Sequence, residues 1–230
     1  KVSHYAPLHY VTHIVQTHSL KSKKALISDG FEESHFRSKS RSSDVQRGFE
    51  EYVFMTLEDR PRILMAKLKR GFPHVAIEVP VEAFENTEYH LCRYNVAMTR
   101  RLRRDGMPGW PENDNNGRYY GTKQIPIAIT NDDKNALLLS HYGQGTMIEV
   151  LVPSQFSLPH NTKITCYHSD DTAIARRILD SYECTWTLSE ELPGCLYHRN
   201  DQYVTSVINY ISHALESPDW RGNGLEFDNV

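Results

Sequence analysis

A chain of 230 residues, 39% hydrophobic and 24% charged, is long enough to bury a full core, and one domain with at most a small appended lobe is the default. A formal charge of −3 excludes a uniformly basic surface, so any contact with nucleic acid has to rest on local patches. No apolar run approaches the ~18 residues that a membrane helix requires, and none stands at the N-terminus as a secretory signal would. The four cysteines (Cys92, Cys166, Cys184 and Cys195) lack the dense, even spacing of a disulfide scaffold. Free thiols and a cytoplasmic location are the simpler expectation.

In chain order, Leu8 to Val15 is short and β-branched with polar residues interleaved, which predicts a strand. Ser19 is placed to cap a helix over Leu20 to Ile27, with Gly30 ending it. Glu33 to Arg47 is rich in Ser, Lys and Arg and poor in large apolar groups, the composition of a surface loop. Tyr52 to Leu57 reads as a buried strand. Arg60-Pro61-Arg62 puts proline at the start of a short helix through Leu68, which Gly71 stops. His74 to Val79 is a strand ended by Pro80, and Asn95 to Arg104 a basic helical segment. Gly106 to Gly117 is a Gly/Pro/Asn-rich loop, Gln124 to Thr130 a strand, and Asp132 to Ser140 a short helix or turn. Met147 to Val152 is the clearest strand in the chain. Ile164 to Tyr167 follows as its possible neighbour, then a helix over Asp170 to Leu179 and an amphipathic helix over Gln202 to Leu215. Strands and helices alternate irregularly, with no Gly-rich βαβ unit. The expectation is an α+β domain on a mixed or antiparallel sheet.

Three features could carry chemistry. Glu149 shares a strand face with Met147 and Leu151, beside the approach Gly143-Gln144-Gly145. It is either a cleft carboxylate or an ordinary solvated strand charge. Arg60, near a helix start, can grip a diphosphate or can pair with Glu58 or Asp59 on the surface. His9, Tyr10, Thr12 and His13 place ring and hydroxyl groups on one short segment, suited to a ribose or an amide. Their residue types are equally common at half-buried positions. A further cluster, Arg93, Arg100, Arg101, Arg103 and Arg104, concentrates five arginines in twelve residues, close in sequence to Trp110, Tyr119 and Tyr120. Arginines meet phosphate and aromatic rings stack on bases, so this is a candidate surface for single-stranded nucleic acid. A solvated basic face, or one that docks an acidic partner, fits equally well.

Taken together these residues resemble the DarT-like branch of the ADP-ribosyltransferases, toxins of bacterial toxin–antitoxin and phage-defence systems that include mRNA-modifying members. Leu8-His9-Tyr10-Val11-Thr12-His13-Ile14 is similar to that family's first motif, with Tyr10 where a His or Arg stands. Phe54 to Leu64, containing Arg60, is similar to its strand–Arg–apolar segment, and Ile148-Glu149-Val150-Leu151-Val152-Pro153 to its catalytic strand. The resemblance spans residues 8 to 180 and assigns no counterpart to 181–230. It implies an ADP-ribosyltransferase-like split sheet with flanking helices, a transferase domain at 1–180, and an extension at 181–230 packed on the same domain. It further implies NAD as co-substrate without a metal, with Glu149 and Arg60 as catalytic residues and Arg60 also holding the diphosphate. His9, Tyr10, Thr12 and His13 would line the nicotinamide end. The acceptor would be a base of single-stranded DNA or RNA, contacted by Arg100, Arg101, Arg103, Arg104, Tyr120, Lys123 and Tyr142, and an antitoxin would restrain the protein.

Other readings stay open at this level. A transferase acting on protein would use the same donor chemistry, and a non-catalytic nucleic-acid-binding module would need only the arginines. A zinc-stabilised fold could draw on Cys166, His168, Cys184, Cys195 and His198, although no CxxC pair occurs. An RNA 2′-phosphotransferase shares NAD and the broad fold but not these motifs.

Overall fold

The computed structural model describes residues 1–31, 49–57, 62–92, 149–193 and 195–221. Its core is a seven-stranded sheet in the order β5-β6-β3-β1-β4-β8-β9. The strands are β1 Val2–Pro7, β3 Tyr52–Thr56, β4 His74–Val79, β5 His90–Cys92, β6 Glu149–Pro153, β8 Lys163–Cys166 and β9 Thr187–Glu190. Every neighbouring pair is antiparallel except β8–β9. A two-stranded ribbon pairs β2 Ser19–Lys21 with β7 Gln155–Ser157. The helices among the described residues are α1 Val11–Thr17, α2 Lys23–Ser28, α3 Arg62–Lys69, α4 Ser169–Ser181 and α5 Asp201–Glu216. The α+β class with a mixed, largely antiparallel sheet and flanking helices is therefore what the chain adopts.

Alternation along the strands divides the sheet into two faces. Val53 and Met55 of β3 and Val150 and Val152 of β6 join the main core, with Val2, Ala6, Val75, Ile77 and Ile164. Helices α1, α4 and α5 close that core through Val11, Ile14 and Val15, through Ala175, Ile178 and Leu179, and through Val207 and Ile211. The opposite face carries a smaller cluster of Leu64 and Leu68 from α3 with Ala76 and Tyr167. β4 is buried along its whole length because both faces are covered, as its nearly continuous apolar sequence anticipates.

The expected loops at 33–47 and 106–117, helix at 95–104, strand at 124–130 and helix or turn at 132–140 lie outside the described residues; among these residues most expected elements are present within a residue or two of their ends, with three departures. Leu8 to Val15 is not a strand. Pro7 ends β1, and Leu8–Tyr10 form a 3₁₀ turn that runs into α1. Leu8, Val11, Ile14 and Val15 recur at helical spacing, and burying that stripe outweighs the β-branched propensity. The strand lies earlier, at Val2–Pro7. Ser19 does not cap a helix; it begins β2, and Ser22 is the cap, its Oγ accepting from the Ala25 N–H at 3.2 Å. Finally β9, a half-exposed edge strand, gives only a weak sequence signal after Cys184.

Residues beyond 180 are not peripheral to this core. Trp186, Val207 and Ile211 pack in the same buried cluster as Val2 and Val150. The segment before α5 passes over the turn after α3, where the Asn200 N–H donates to the Gly71 carbonyl at 3.1 Å. Gly71 has φ +80, and a Cβ there would stand 2.5 Å from the His198 carbonyl oxygen, so glycine is needed twice over.

Candidate active site: a cleft where two strands part

The sheet has a parting at its middle. β1 pairs with β4 along six residues but with β3 only at Ser3–Thr56. On the other side β3 pairs with β6 along its full length, from Tyr52–Pro153 to Thr56–Glu149. Two half-sheets are thus joined at one end and splayed at the other. The Phe54 carbonyl, which a continuous ladder would pair with a backbone N–H, instead accepts from His4 Nδ1 at 2.7 Å. His4 occupies the space between the diverging strands.

A cleft of about 310 Å³ opens at this parting, within the size range of small-molecule sites. His4 to Pro7 supply one wall and Tyr52 to Phe54 the other. Tyr10, His13 and Ile14 close the end, and Lys21, Lys23, Lys67 and His74 stand around it. A second, more polar groove of about 590 Å³ adjoins it and shares Lys21 and Tyr52. There Lys21 is tied to Asp29 at 2.5 Å and Lys24 to Glu51 at 2.6 Å.

The cleft is electrostatically unusual because three of its side chains are neutral histidines. Burial lowers the pKa of His4, partly offset by the bond to Phe54. Burial also takes His74 down to about 4, with the Phe72 carbonyl opposing and Lys67 reinforcing the shift. His13 falls to about 4 through burial and then the nearby cations Lys21 and Arg221, against the weaker pull of Asp29. His13 is 5% exposed, and neither of its ring nitrogens has a hydrogen-bond partner among the described residues. Burial, followed by Tyr210 and Tyr203, pushes the Tyr10 hydroxyl well above its ordinary range.

Of the four residues expected at the nicotinamide end, the structure brings Tyr10 and His13 to the cleft. His9 and Thr12 are turned elsewhere. His9 packs edge-on against Tyr210 of α5, ring centroids 5.0 Å apart, and the Thr12 hydroxyl donates to the His9 carbonyl at 2.9 Å. The helical path from Leu8 causes this division, since a strand would have put alternate residues on one face. His4 and His74 are cleft residues that sequence reasoning missed. His4 lies on the strand that was placed too late in the chain, and His74 begins one that read as plain core.

Glu149 is the first residue of β6 and only 3% exposed, so it is not a solvated strand charge. Residues opposite one another in an antiparallel pair share a face. Glu149 therefore shares a face with Thr56, Phe54 and Leu151, and with Ser3, Tyr5 and Pro7 across the joint. Phe54, Tyr5 and Pro7 line the cleft. Glu149 itself is not in the lining; it lies two residue pairs beyond Phe54–Leu151, about 7 Å along the strand. The register gives an unbroken polar row, Lys163–Glu78–Ser3–Thr56–Glu149, at the joined end of the half-sheets. Glu78 holds Lys1 at 2.6 Å and Lys163 at 3.4 Å.

Arg60 and the acceptor candidates Arg100, Arg101, Arg103, Arg104, Tyr120, Lys123 and Tyr142 lie outside the described residues. Among the described residues no group of three or more His, Cys, Asp or Glu side chains converges as a metal site. No helix among them is long and apolar enough to cross a membrane.

No protein-family model matches the chain, and no curated protein matches it in sequence. Solved structures of Thermus sp. 2.9 DarT superpose on it. The complex with ADP-ribosylated ssDNA covers 83% of this chain and 92% of that one, with TM-score 0.47 and 10% identity. The complex with NAD+ covers 83% and 94%, with TM-score 0.45 and 8% identity. The complex with carba-NAD+ covers 84% and 95%, with TM-score 0.45 and 10% identity.

Proposed function

We propose that this chain is an NAD-dependent ADP-ribosyltransferase toxin that modifies a base of single-stranded DNA or RNA. The observation that carries the reading is the placement of Glu149. The carboxylate singled out by the sequence motif is withdrawn from water, on the face that carries cleft-lining residues, at the joint of two half-sheets.

The cleft fits one end of the dinucleotide. Apolar walls (Pro7, Ile14, Val53 and Phe54) suit a flat ring, and Lys21, Lys23 and Lys67 suit phosphate. NAD would supply the ADP-ribosyl group, joined to nicotinamide through a C–N glycosidic bond that parts with oxocarbenium character on the ribose. Glu149 stabilises that positive charge and accepts a hydrogen bond from a ribose hydroxyl. The same carboxylate takes the proton from the incoming base nitrogen. Tyr10 and His13 orient the departing ring, and Arg60 grips the diphosphate. Arg100, Arg101, Arg103 and Arg104 hold the acceptor strand's phosphates, with Tyr120, Lys123 and Tyr142 around its base. A cytoplasmic setting and a restraining antitoxin accompany this reading.

The test is to incubate the protein with labelled NAD and separate pools of DNA, RNA and protein. Label entering a nucleic-acid pool, and lost with Glu149→Gln, supports the proposal. Label entering only protein moves the reading to a protein-directed transferase. Nucleic-acid binding without any consumption of NAD, unaffected by Glu149→Gln, replaces it with a binding module.

A further inference from the structure

Two histidines of the cleft have a determined tautomer. His4 Nδ1 lies 2.7 Å from the Phe54 carbonyl oxygen, and His74 Nδ1 lies 3.2 Å from that of Phe72. A carbonyl oxygen only accepts, so each Nδ1 carries the hydrogen and donates it. Burial keeps both rings neutral at pH 7. A neutral imidazole with hydrogen on Nδ1 has a bare lone pair on Nε2 and is an acceptor there.

The hydrogen bonds of both rings among the described residues go to carbonyls, of Phe54 for His4 and of Phe72 and Pro73 for His74; a neutral ring has one N–H to give them, which leaves Nε2 as the acceptor, and neither Nε2 is among the buried atoms without a partner, as the ring nitrogens of His13 are. Both rings line the cleft, and they are close enough that His4 perturbs His74 electrostatically. Two rings of this tautomer thus line one small chamber whose other walls include Pro7, Ile14 and Phe54. A ligand edge bearing N–H or O–H satisfies them. One bearing only acceptors opposes lone pair to lone pair and leaves both sides without a partner, which binding sites reject strongly.

We propose that His4 and His74 make the cleft selective for a ring that carries hydrogen-bond donors at its edge, an amide or amino N–H₂, over an isosteric ring that lacks them. This rests on the transferase reading for the identity of the ring, but not for the chemistry of the wall.

The experiment changes the ligand before the protein. Equilibrium binding to the intact chain is compared for NAD, for 3-acetylpyridine adenine dinucleotide, in which methyl replaces the amide N–H₂, and for nicotinamide purine dinucleotide, in which hydrogen replaces the adenine amino group. The expected result is that one of the analogues binds about 10-fold more weakly than NAD. The difference should shrink in His4→Phe or His74→Phe and persist in Lys24→Ala, which lies outside the cleft lining. Equal binding of all three to the unaltered protein overturns the proposal, even if neither histidine variant folds. So does a difference that survives in both folded histidine variants.

If NAD itself does not bind, the transferase reading fails separately. The wall is then tested with nicotinamide against 3-acetylpyridine and adenosine against purine riboside, read by ligand-observed NMR. Preference for the donor-bearing member of either pair upholds the inference; no preference, or no binding of any of the four, overturns it.

Discussion

Glu149 on β6 stands directly opposite Thr56 on β3, and both are almost wholly withdrawn from solvent, at 3% and 2% exposure. A carboxylate this deeply buried persists only where surrounding polar groups compensate for lost hydration. Glu149→Gln keeps shape and volume, so the folded state should survive with its unfolding midpoint little changed. Under the proposed transferase mechanism, transfer of ADP-ribose should fall by about 100-fold or more, as for other removed transition-state stabilisers. Initial rates with labelled NAD and a thermal melt check both halves. A variant that retains its rate while folded would remove Glu149 from the mechanism.

The neutral histidines make stability depend on pH. His13 and His74 fall to about 4 in the folded protein from the ordinary value near 6.5. Between those values the unfolded chain binds protons that the folded chain refuses. Their neutral burial is therefore fully tolerated above about pH 6.5 and increasingly opposed as pH falls toward 4. The loss is at most roughly 3 kcal/mol per ring. Asp171 works the other way: burial raises its carboxyl, against the Tyr197 hydrogen bond and the Arg199 charge, so acidification relieves it. Urea unfolding at pH 7, 6, 5 and 4 should show a falling midpoint. His74→Phe should flatten the slope, and a wild-type curve flat over this range would contradict the neutral-cleft picture.

Arg199 fastens the segment before α5 onto α4. Its guanidinium reaches both Asp170 and Asp171, 3.2 Å from the latter, and the Tyr197 hydroxyl donates to Asp171 at 2.8 Å. The Asp171 side chain is fully buried, whereas that of Asp170 is largely exposed. Arg199→Leu leaves a buried carboxylate without its cation and should cost about 3 kcal/mol. Adding Asp171→Asn should recover much of that loss, because the uncompensated charge is then gone. Denaturant midpoints for the two single variants and the double variant measure this. Purely additive losses would show that the two side chains do not depend on each other.

Gly71→Ala should destabilise by well over the ~1 kcal/mol of an ordinary backbone substitution. The new methyl would meet backbone atoms of His198 and Asn200 at 2.5 and 2.6 Å, at a φ of +80 that L-residues rarely adopt. Serine or alanine at Gly30 makes a useful contrast. Its φ is also positive, at +91, but a Cβ there meets only the Arg221 side chain, at 3.7 Å. Equal losses at the two glycines would mean that strain, not the packed arm, dominates.

Periodicity alone was enough to find β4, α4 and α5, because each carries a continuous apolar run or stripe whose spacing admits one solution. The same signal placed Glu149 within a strand over Met147 to Val152, on the face opposite Val150 and Val152. What periodicity could not decide was the path from Val2 to Ser22. There β-branched residues, a proline and a helical stripe compete over a few positions, and packing against α5 and the β2–β7 ribbon selects the outcome. That selection turned His9 and Thr12 away from the cleft and left Tyr10 and His13 in it. His4 and His74 acquire their chemistry from carbonyls fifty residues and two residues away in sequence. A local pattern can show which residues share a face of one element. Which faces meet, which strands part, and which nitrogen of an imidazole keeps its lone pair are set by distant backbone atoms, so only the assembled fold decides them.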